Sequence, residues 1–205
     1  MDCNIIPLFP SIVCEFKLEN DYTSTFLNIK TTTEFTENAE VGNFTSKKFN
    51  ILDTYTSLGQ DILNVFNLIK DNVLYYTDTE FAITTSWVTK TVLHSQSQYH
   101  NHKNCFYSGV LYFDDIENCA NIEFSDDNLK PESFMVNNPS KLDIYNCKGW
   151  SISPQKNKIL FFPSYLKHRI SKHMSDTPRY SLAFNLSPVG VFGSKDSSMN
   201  VNLVK

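Results

Sequence analysis

The chain has 205 residues, which is enough for one domain with a substantial hydrophobic core. Its net charge of −4 argues against a nucleic-acid partner, because phosphate binding needs a concentrated basic surface. No segment approaches the ~20 apolar residues of a membrane-spanning helix, and the first residues do not resemble a signal peptide. The five cysteines form no Cys-x-x-Cys pair, so we expect reduced thiols and a cytoplasmic location.

The N-terminal part of the chain predicts a mixture of strand, loop and helix. Residues 5–16 predict a turn-interrupted strand, and residues 31–48, rich in Thr, Glu and Asn, predict a polar loop. A helix should follow, with Thr56 or Ser57 as its N-cap. Its apolar residues recur at helical spacing: Leu58, Ile62, Phe66, Ile69 and Val73.

After Asp78 the sequence changes to short strand-forming segments separated by polar turns. These segments are 81–93, 106–113, 120–124, 132–137, 141–146, 158–162 and 179–187. Short strands at this spacing predict an antiparallel sandwich or barrel. We therefore predict a single, mainly β domain with N-terminal α elements. Its parts would be an α/β support region (1–78), a jelly-roll-like barrel (79–188) and an extended tail (189–205).

Three histidines in the barrel region are candidate metal ligands. His100 and His102 are separated by one residue, so they point to the same face of a strand and can hold one ion together. His168 can complete the site if the strands close into a barrel. Imidazole binds iron, zinc, copper and nickel, so the histidines alone leave the metal open.

An Arg-x-Ser pair downstream of the histidines narrows the choice of chemistry. Arg179 and Ser181 share one strand face, where the guanidinium and the hydroxyl could hold a carboxylate together. A zinc hydrolase needs an activated water and a carboxylate base, and it has no obvious use for such a pair. An iron oxygenase that uses a 2-oxo acid needs a cation for the far carboxylate of that acid. The pair therefore favours the oxygenase.

Several segments in this order also resemble a known family. They are Ser86-Trp87, residues 100–104, residues 107–113, residues 160–168 and residues 179–185. Together they are similar to the 2-oxoglutarate/Fe(II)-dependent oxygenases of marine bacteria and cyanophages. The resemblance extends over residues 5–187, and its motifs are specific in combination.

The resemblance implies a double-stranded β-helix, a jelly-roll of the cupin type, with a catalytic iron centre. The ligands of Fe(II) would be His100, His102 and His168. 2-Oxoglutarate would bridge the iron and Arg179, with Ser181 beside it. Tyr107 and Tyr112 are further candidates for contact with this cosubstrate, the alternative being that they are core aromatics. The reaction would consume O2, hydroxylate a protein side chain or small metabolite, and release succinate and CO2.

One departure from the wider superfamily leaves alternatives open. The second ligand position usually carries Asp or Glu, whereas this chain has His102, which leaves the full 2+ charge on Fe(II). Asp114 and Asp115 are candidate substitute carboxylates, and Cys105 is a candidate zinc ligand. The competing functions are a three-histidine dioxygenase that does not use 2-oxoglutarate and a zinc-binding or non-catalytic jelly-roll protein.

The remaining residues of interest have plainer interpretations. We expect His94 and His173 to face solvent or lie behind the ligands, and Trp87 and Trp150 to pack in the core. Asn185 shares the strand face of Arg179 but lies far along the strand from it, which makes it a weak candidate.

The sequence does not identify the prime substrate. Arg169 should be a surface cation or a substrate contact. Substrate specificity should come from loops at the barrel mouth, which are 94–105, 114–119 and 125–141. A homodimer is an open alternative, and the location would be the host cytoplasm if the protein is encoded by a phage.

Overall fold

A computed structural model describes residues 10–125, 140, 141, 143 and 147–203. Its helices are α1 (Thr23–Thr32), α2 (Ile51–Thr54) and α3 (Thr56–Ile69). Its strands are β1 (Cys14–Lys17), β2 (Phe35–Glu37), β3 (Asn43–Ser46), β4 (Glu80–Thr91), β5 (Tyr107–Tyr112), β6 (Ile122–Ser125), β7 (Gly149–Ile152), β8 (Lys158–Pro163), β9 (Lys167–Ile170), β10 (Arg179–Phe192) and β11 (Met199–Val201).

The strands form two antiparallel sheets. The larger sheet has the order β1-β8-β5-β10-β4-β3-β2, with β11 paired to β10, and the smaller sheet has the order β7-β6-β9. A bridge between His100 and His168 extends the smaller sheet beyond β9. The predicted fold class, a jelly-roll with N-terminal helices, is confirmed.

The inner faces of the two sheets meet in a small hydrophobic core. The larger sheet contributes Val110, Tyr112, Leu160 and Phe162, and the smaller sheet contributes Ile122 and Phe124. Since successive side chains of a strand point to opposite faces, Leu111 lies on the other side of β5, in a larger core beneath the helices. Strand alternation therefore decides which residues can reach the space between the sheets.

The larger core explains why α3 forms where its sequence pattern predicts. Leu58, Ile62, Phe66 and Ile69 are buried along one face of the helix. The Phe66 ring lies 5.1 Å from that of Phe81 and 5.6 Å from that of Phe161. Val73 belongs to a π-helical turn, Lys70–Leu74, that continues the helix.

Several predicted boundaries were wrong. The N-cap of α3 is Tyr55, without a side-chain cap, rather than Thr56 or Ser57. Residues 31–48 are not a loop, because they contain the end of α1 and the β2–β3 hairpin, and β3 pairs with β4. β10 continues past residue 188 to Phe192 and pairs with β11.

Other predictions concern segments that are short or only partly described. The strands predicted at 132–137 and over most of 141–146 lie outside the described residues. β7 and β9, of four residues each, were not predicted. The predicted support region, residues 1–78, contributes β1, β2 and β3 to the larger sheet. The organisation of the chain as a single domain stays a prediction.

Within the described residues, no helix has both the length and the apolar character that crossing a membrane requires.

Candidate metal centre and cosubstrate site

The fold brings the three predicted histidines together. Candidate ligand atoms of His100, His102 and His168 all lie within 4.8 Å of one another. The backbones of His100 and His168 pair through two hydrogen bonds of 3.0 and 2.9 Å. The amide of His102 donates to the carbonyl of Ser164, the residue directly after β8. The extended smaller sheet therefore positions His100 and His168, and the end of β8 in the larger sheet positions His102.

Hydrogen bonds determine which ring nitrogen is available to a metal. His100 Nδ1 lies 2.9 Å from the carbonyl of Gln98, and His168 Nδ1 lies 2.9 Å from the carbonyl of Leu166. A carbonyl can only accept a hydrogen bond, so each Nδ1 carries the proton and each Nε2 presents a lone pair. The two rings are thus held in the tautomer that binds a metal through Nε2.

The third ring is oriented by a side chain rather than by the backbone. His102 Nδ1 donates to Asn185 Oδ1 over 2.7 Å, and Ser108 Oγ donates to the same oxygen over 2.8 Å. Asn185 Nδ2 in turn donates to Thr85 Oγ1 over 2.9 Å. Asn185 was a weak candidate because it lies far along the strand from Arg179, but its contacts lie at the histidine end of β10.

Burial keeps two of the three histidines uncharged, which favours the binding of a metal cation. Burial lowers the pKa of His168 to about 3, and burial is also the main cause that lowers the pKa of His102. Both imidazoles are therefore neutral at pH 7, and a cation meets no competing proton on them.

The alternative ligands considered from the sequence lie elsewhere. Asp114 forms an ion pair with Lys30 at 2.6 Å, and Asp115 accepts a hydrogen bond from the backbone of Lys156. The Cys105 thiol donates to a backbone carbonyl, and the cluster contains no cysteine or carboxylate from the described part of the chain. The donor set is three imidazoles, which suits Fe(II) and also zinc.

A second polar cluster lies in the same inter-sheet space. Arg179 is 2% exposed, and its Nη1 donates to Ser181 Oγ over 3.2 Å. Ser181 also bonds to Thr89 Oγ1 at 2.8 Å, and the guanidinium carbon lies 5.1 Å from the centre of the Tyr112 ring. Three buried polar atoms here have no hydrogen-bond partner: Arg179 Nε, Thr91 Oγ1 and Tyr112 OH.

These unpartnered atoms make the cluster a candidate site for an anion. A buried cation without an anionic partner is strongly unfavourable, and no ion pair joins Arg179 to a carboxylate among the described residues. Burial raises the pKa of Tyr112 to about 12, so its phenol stays protonated and can donate a hydrogen bond. A carboxylate placed here would satisfy both the guanidinium and the phenol.

Of the two predicted tyrosines, only Tyr112 lies in this cluster. Tyr107 belongs to the core beneath the helices, where its ring is 5.4 Å from that of Phe66. The two residues are an odd number of positions apart on β5, so they point to opposite faces of the sheet. The structure therefore does not bring Tyr107 to Arg179.

The two remaining histidines have different environments. His173 is fully buried; its Nδ1 accepts from the Ala120 amide, and its Nε2 donates to the Thr177 carbonyl. The expectation that His173 faces solvent or lies behind the ligands was wrong, because this ring joins two loops. His94 is exposed, as predicted.

The two tryptophans and Arg169 can also be compared with their predicted environments. Trp150 is 47% exposed, so the prediction that it packs in the core was wrong. Trp87 is half-buried, with its ring 5.4 Å from that of His102. Arg169 pairs with Glu123 at 2.7 Å and lies over Tyr99, as expected of a surface cation.

The described residues form a jelly-roll whose inter-sheet space holds three clustered histidines and a buried arginine without an ion pair, an arrangement suited to one metal ion and an anionic ligand. Residues 85–185 match the model of a family described as "Putative 2OG-Fe(II) oxygenase". Over this matched segment, which is nearly half of its length, the chain is similar to the 2-oxoglutarate/Fe(II) oxygenases, and the match supports Fe(II), 2-oxoglutarate and O2 as its cofactors. No curated protein matches the chain in sequence.

Solved structures of the same fold are distant in sequence. HygX from Streptomyces hygroscopicus, with nickel and 2-oxoglutarate bound, is 10% identical with a TM-score of 0.62 over 87% of this chain and 83% of that chain. The epimerase SnoN from nogalamycin biosynthesis is 11% identical with a TM-score of 0.62 over 89% and 79%. A prolyl-4-hydroxylase from Pseudomonas putida is 11% identical with a TM-score of 0.57 over 88% and 94%. At such identities the similarity establishes the fold alone.

Proposed function

We propose that the protein hydroxylates a small metabolite or a protein side chain, with Fe(II) held by His100, His102 and His168. The observation that carries this proposal is the buried, unpaired Arg179 in the same inter-sheet space as the histidine cluster. Iron would supply the activation of O2, so that one oxygen atom enters a C–H bond of the substrate. The other oxygen atom enters succinate as 2-oxoglutarate loses CO2.

In this proposal the protein binds the cosubstrate at two points. The histidine Nε2 atoms hold the metal, and the hydrogen bonds at Nδ1 keep the rings from rotating. The guanidinium of Arg179 receives the far carboxylate of 2-oxoglutarate, with Ser181 and Tyr112 beside it. The hydrophobic inter-sheet core around this cluster excludes water, which strengthens the charge-assisted hydrogen bonds.

The direct test is turnover of 2-oxoglutarate without a prime substrate. Protein supplied with Fe(II), ascorbate and air should form succinate slowly, detectable by proton NMR, and zinc-loaded protein should not. If 2-oxoglutarate neither binds nor turns over while another substrate is oxidised, the protein would be the three-histidine dioxygenase that the ligand set also suits.

The contacts of Asn185 predict a positioning role for this residue. Asn185→Leu should weaken Co(II) binding by roughly 10–100-fold, because His102 loses the acceptor that fixes its tautomer. Asn185→Asp, which keeps an acceptor oxygen, should restore most of the affinity. Titration of the cobalt absorption bands measures both effects.

Asn121→Leu is the matched control for Asn185→Leu, because the Asn121 amide bonds to Ser151 instead of to a histidine. It should leave cobalt affinity unchanged. Equal losses in Asn121→Leu and Asn185→Leu would show a general effect on folding and would contradict the positioning role.

The buried His168 also predicts how the stability of the metal-free protein depends on pH. The pKa of His168 is about 3 in the folded protein, against an ordinary value near 6.5, so the unfolded chain takes up a proton first as the pH falls. Stability should therefore decrease as the pH drops from about 6.5 towards 3. Between pH 7 and 5 this one residue should account for about 2 kcal/mol.

Urea unfolding of the metal-free protein at pH 7 and pH 5 measures this contribution. The His168→Gln variant should lose less stability between the two pH values than the wild type. An equal loss in both proteins would show that His168 can be protonated while the protein is folded.

We infer a cytoplasmic location, in the host if the gene belongs to a phage. The support is chemical: Cys14, Cys105, Cys119 and Cys147 are free thiols. The phage origin and the homodimer stay predictions.

A further inference from the structure

A groove of about 760 Å³ opens beside the histidine cluster. His100 and His102 are among its lining residues, and further walls come from the β2–β3 hairpin and β4. Substrate specificity was predicted to come from loops 94–105, 114–119 and 125–141. Loop 94–105 does line the groove, but much of the remaining lining comes from residues between 36 and 48, which were predicted to be a polar loop, and from Phe49.

One wall of the groove is aromatic and leads towards the metal ligands. Phe49 is 54% exposed, its ring lies 6.2 Å from that of Trp87, and the Trp87 ring lies 5.4 Å from that of His102. An exposed phenylalanine beside a half-buried tryptophan offers a flat apolar surface. Such surfaces bind planar rings by offset or edge-to-face contact.

The charges that line the groove differ from those of the whole protein. Lys47 and Lys103 line the groove, and none of the lining residues that the structure describes is an aspartate or glutamate, although the chain has a net charge of −4. Lys47 pairs with Glu34, but the two side chains are 56% and 77% exposed. An ion pair this exposed contributes little to stability, so Lys47 can exchange Glu34 for the anionic group of a ligand.

We propose that the prime substrate is an anionic small molecule with a planar ring, bound with the ring on Phe49 and Trp87 and the anion near Lys47 and Lys103. This inference rests on the proposed function, since the groove matters as a substrate site only if His100 and His102 hold the reacting metal. Its volume lies in the range of about 300–1,000 Å³ that is usual for small-ligand sites.

Three simple probes separate the two parts of the proposal. Phenyl phosphate carries both a ring and an anion, benzyl alcohol carries the ring alone, and methyl phosphate carries the anion alone. Dissociation constants would be measured by ligand-observed NMR on protein loaded with Ni(II) and 2-oxoglutarate, so that the Arg179 site is already filled. Phenyl phosphate should bind at least about fivefold more tightly than either of the others.

Groove variants test whether this binding occurs where we propose. Lys47→Met combined with Lys103→Met should reduce the affinity for phenyl phosphate to roughly that for benzyl alcohol, and Phe49→Ala should weaken it several-fold. Lys17→Met, which removes an exposed lysine of β1 at the far edge of the larger sheet, is the matched control and should have no effect.

The outcomes distinguish failure of this inference from failure of the proposed function. Normal 2-oxoglutarate binding without any preference for phenyl phosphate would overturn the groove inference alone. The groove inference would also be overturned if the preference for phenyl phosphate survives in the lysine and Phe49 variants. If wild-type protein with Ni(II) fails to bind 2-oxoglutarate, the proposed function fails first and the groove loses its role with it.

Discussion

Arg179→Met should reduce the affinity for 2-oxoglutarate by at least about 100-fold, because a bidentate pair with a carboxylate is worth several kcal/mol in a buried site. The same substitution should leave metal affinity unchanged, since Arg179 is outside the histidine cluster. It should also raise the melting temperature of the metal-free protein, because it removes a buried cation that has an unpartnered Nε.

Isothermal titration of 2-oxoglutarate into the Ni(II) protein, together with thermal melting of the metal-free protein, tests both statements. Arg169→Met is the matched control, because it removes an arginine that pairs with Glu123 at the surface. A variant at Arg179 that is less stable and still binds 2-oxoglutarate would show that the guanidinium is structural.

His100→Ala should weaken Co(II) or Fe(II) binding by roughly 100-fold. Zinc sites with four histidine or cysteine ligands bind with about 10–16 kcal/mol, so the loss of one ligand should cost about 3 kcal/mol of binding free energy. His100 is exposed, so the substitution should change the free energy of unfolding by less than ~0.5 kcal/mol. The readout is metal affinity with a parallel denaturation curve. The loss of metal affinity in this variant should therefore occur without a loss of protein stability.

His94→Ala provides the matched control for His100→Ala. His94 is also exposed but is not part of the cluster, so its removal should leave metal binding intact. Equal metal affinity in the two variants would contradict ligation by His100.

The third imidazole has an electrostatic consequence for the site. As metal ligands, three neutral imidazoles would leave the full 2+ charge on the metal, where a carboxylate ligand would reduce it to 1+. The Nδ1–H of His102 donates to Asn185 Oδ1, so the surroundings suit an imidazole, whereas a carboxylate at this position would have no proton to donate to that oxygen. A more positive centre favours dianionic 2-oxoglutarate and, in the groove, an anionic substrate.

The parts of the site that the sequence could predict follow from strand alternation. His100 with His102, and Arg179 with Ser181, each share a face at a spacing of two residues. The same rule separates Tyr107 from Tyr112, so the placement of Tyr107 in the other core could have been foreseen.

Other features depend on contacts that no local pattern encodes. The partnership of Asn185 with His102 joins β10 to a segment far away in sequence. α1 has only Phe26 and Ile29 buried, which gives too weak an apolar stripe for periodicity to detect. The β2–β3 hairpin is polar because it borders a groove, and its composition therefore resembled that of a loop.

Anaerobic titration of the metal-free protein with Fe(II) and then 2-oxoglutarate tests the central claim most directly. We predict a visible charge-transfer band when 2-oxoglutarate is added, with no band in His100→Ala or, at the same concentrations, in Arg179→Met. Binding of iron without any band would contradict chelation of 2-oxoglutarate at the three-histidine site.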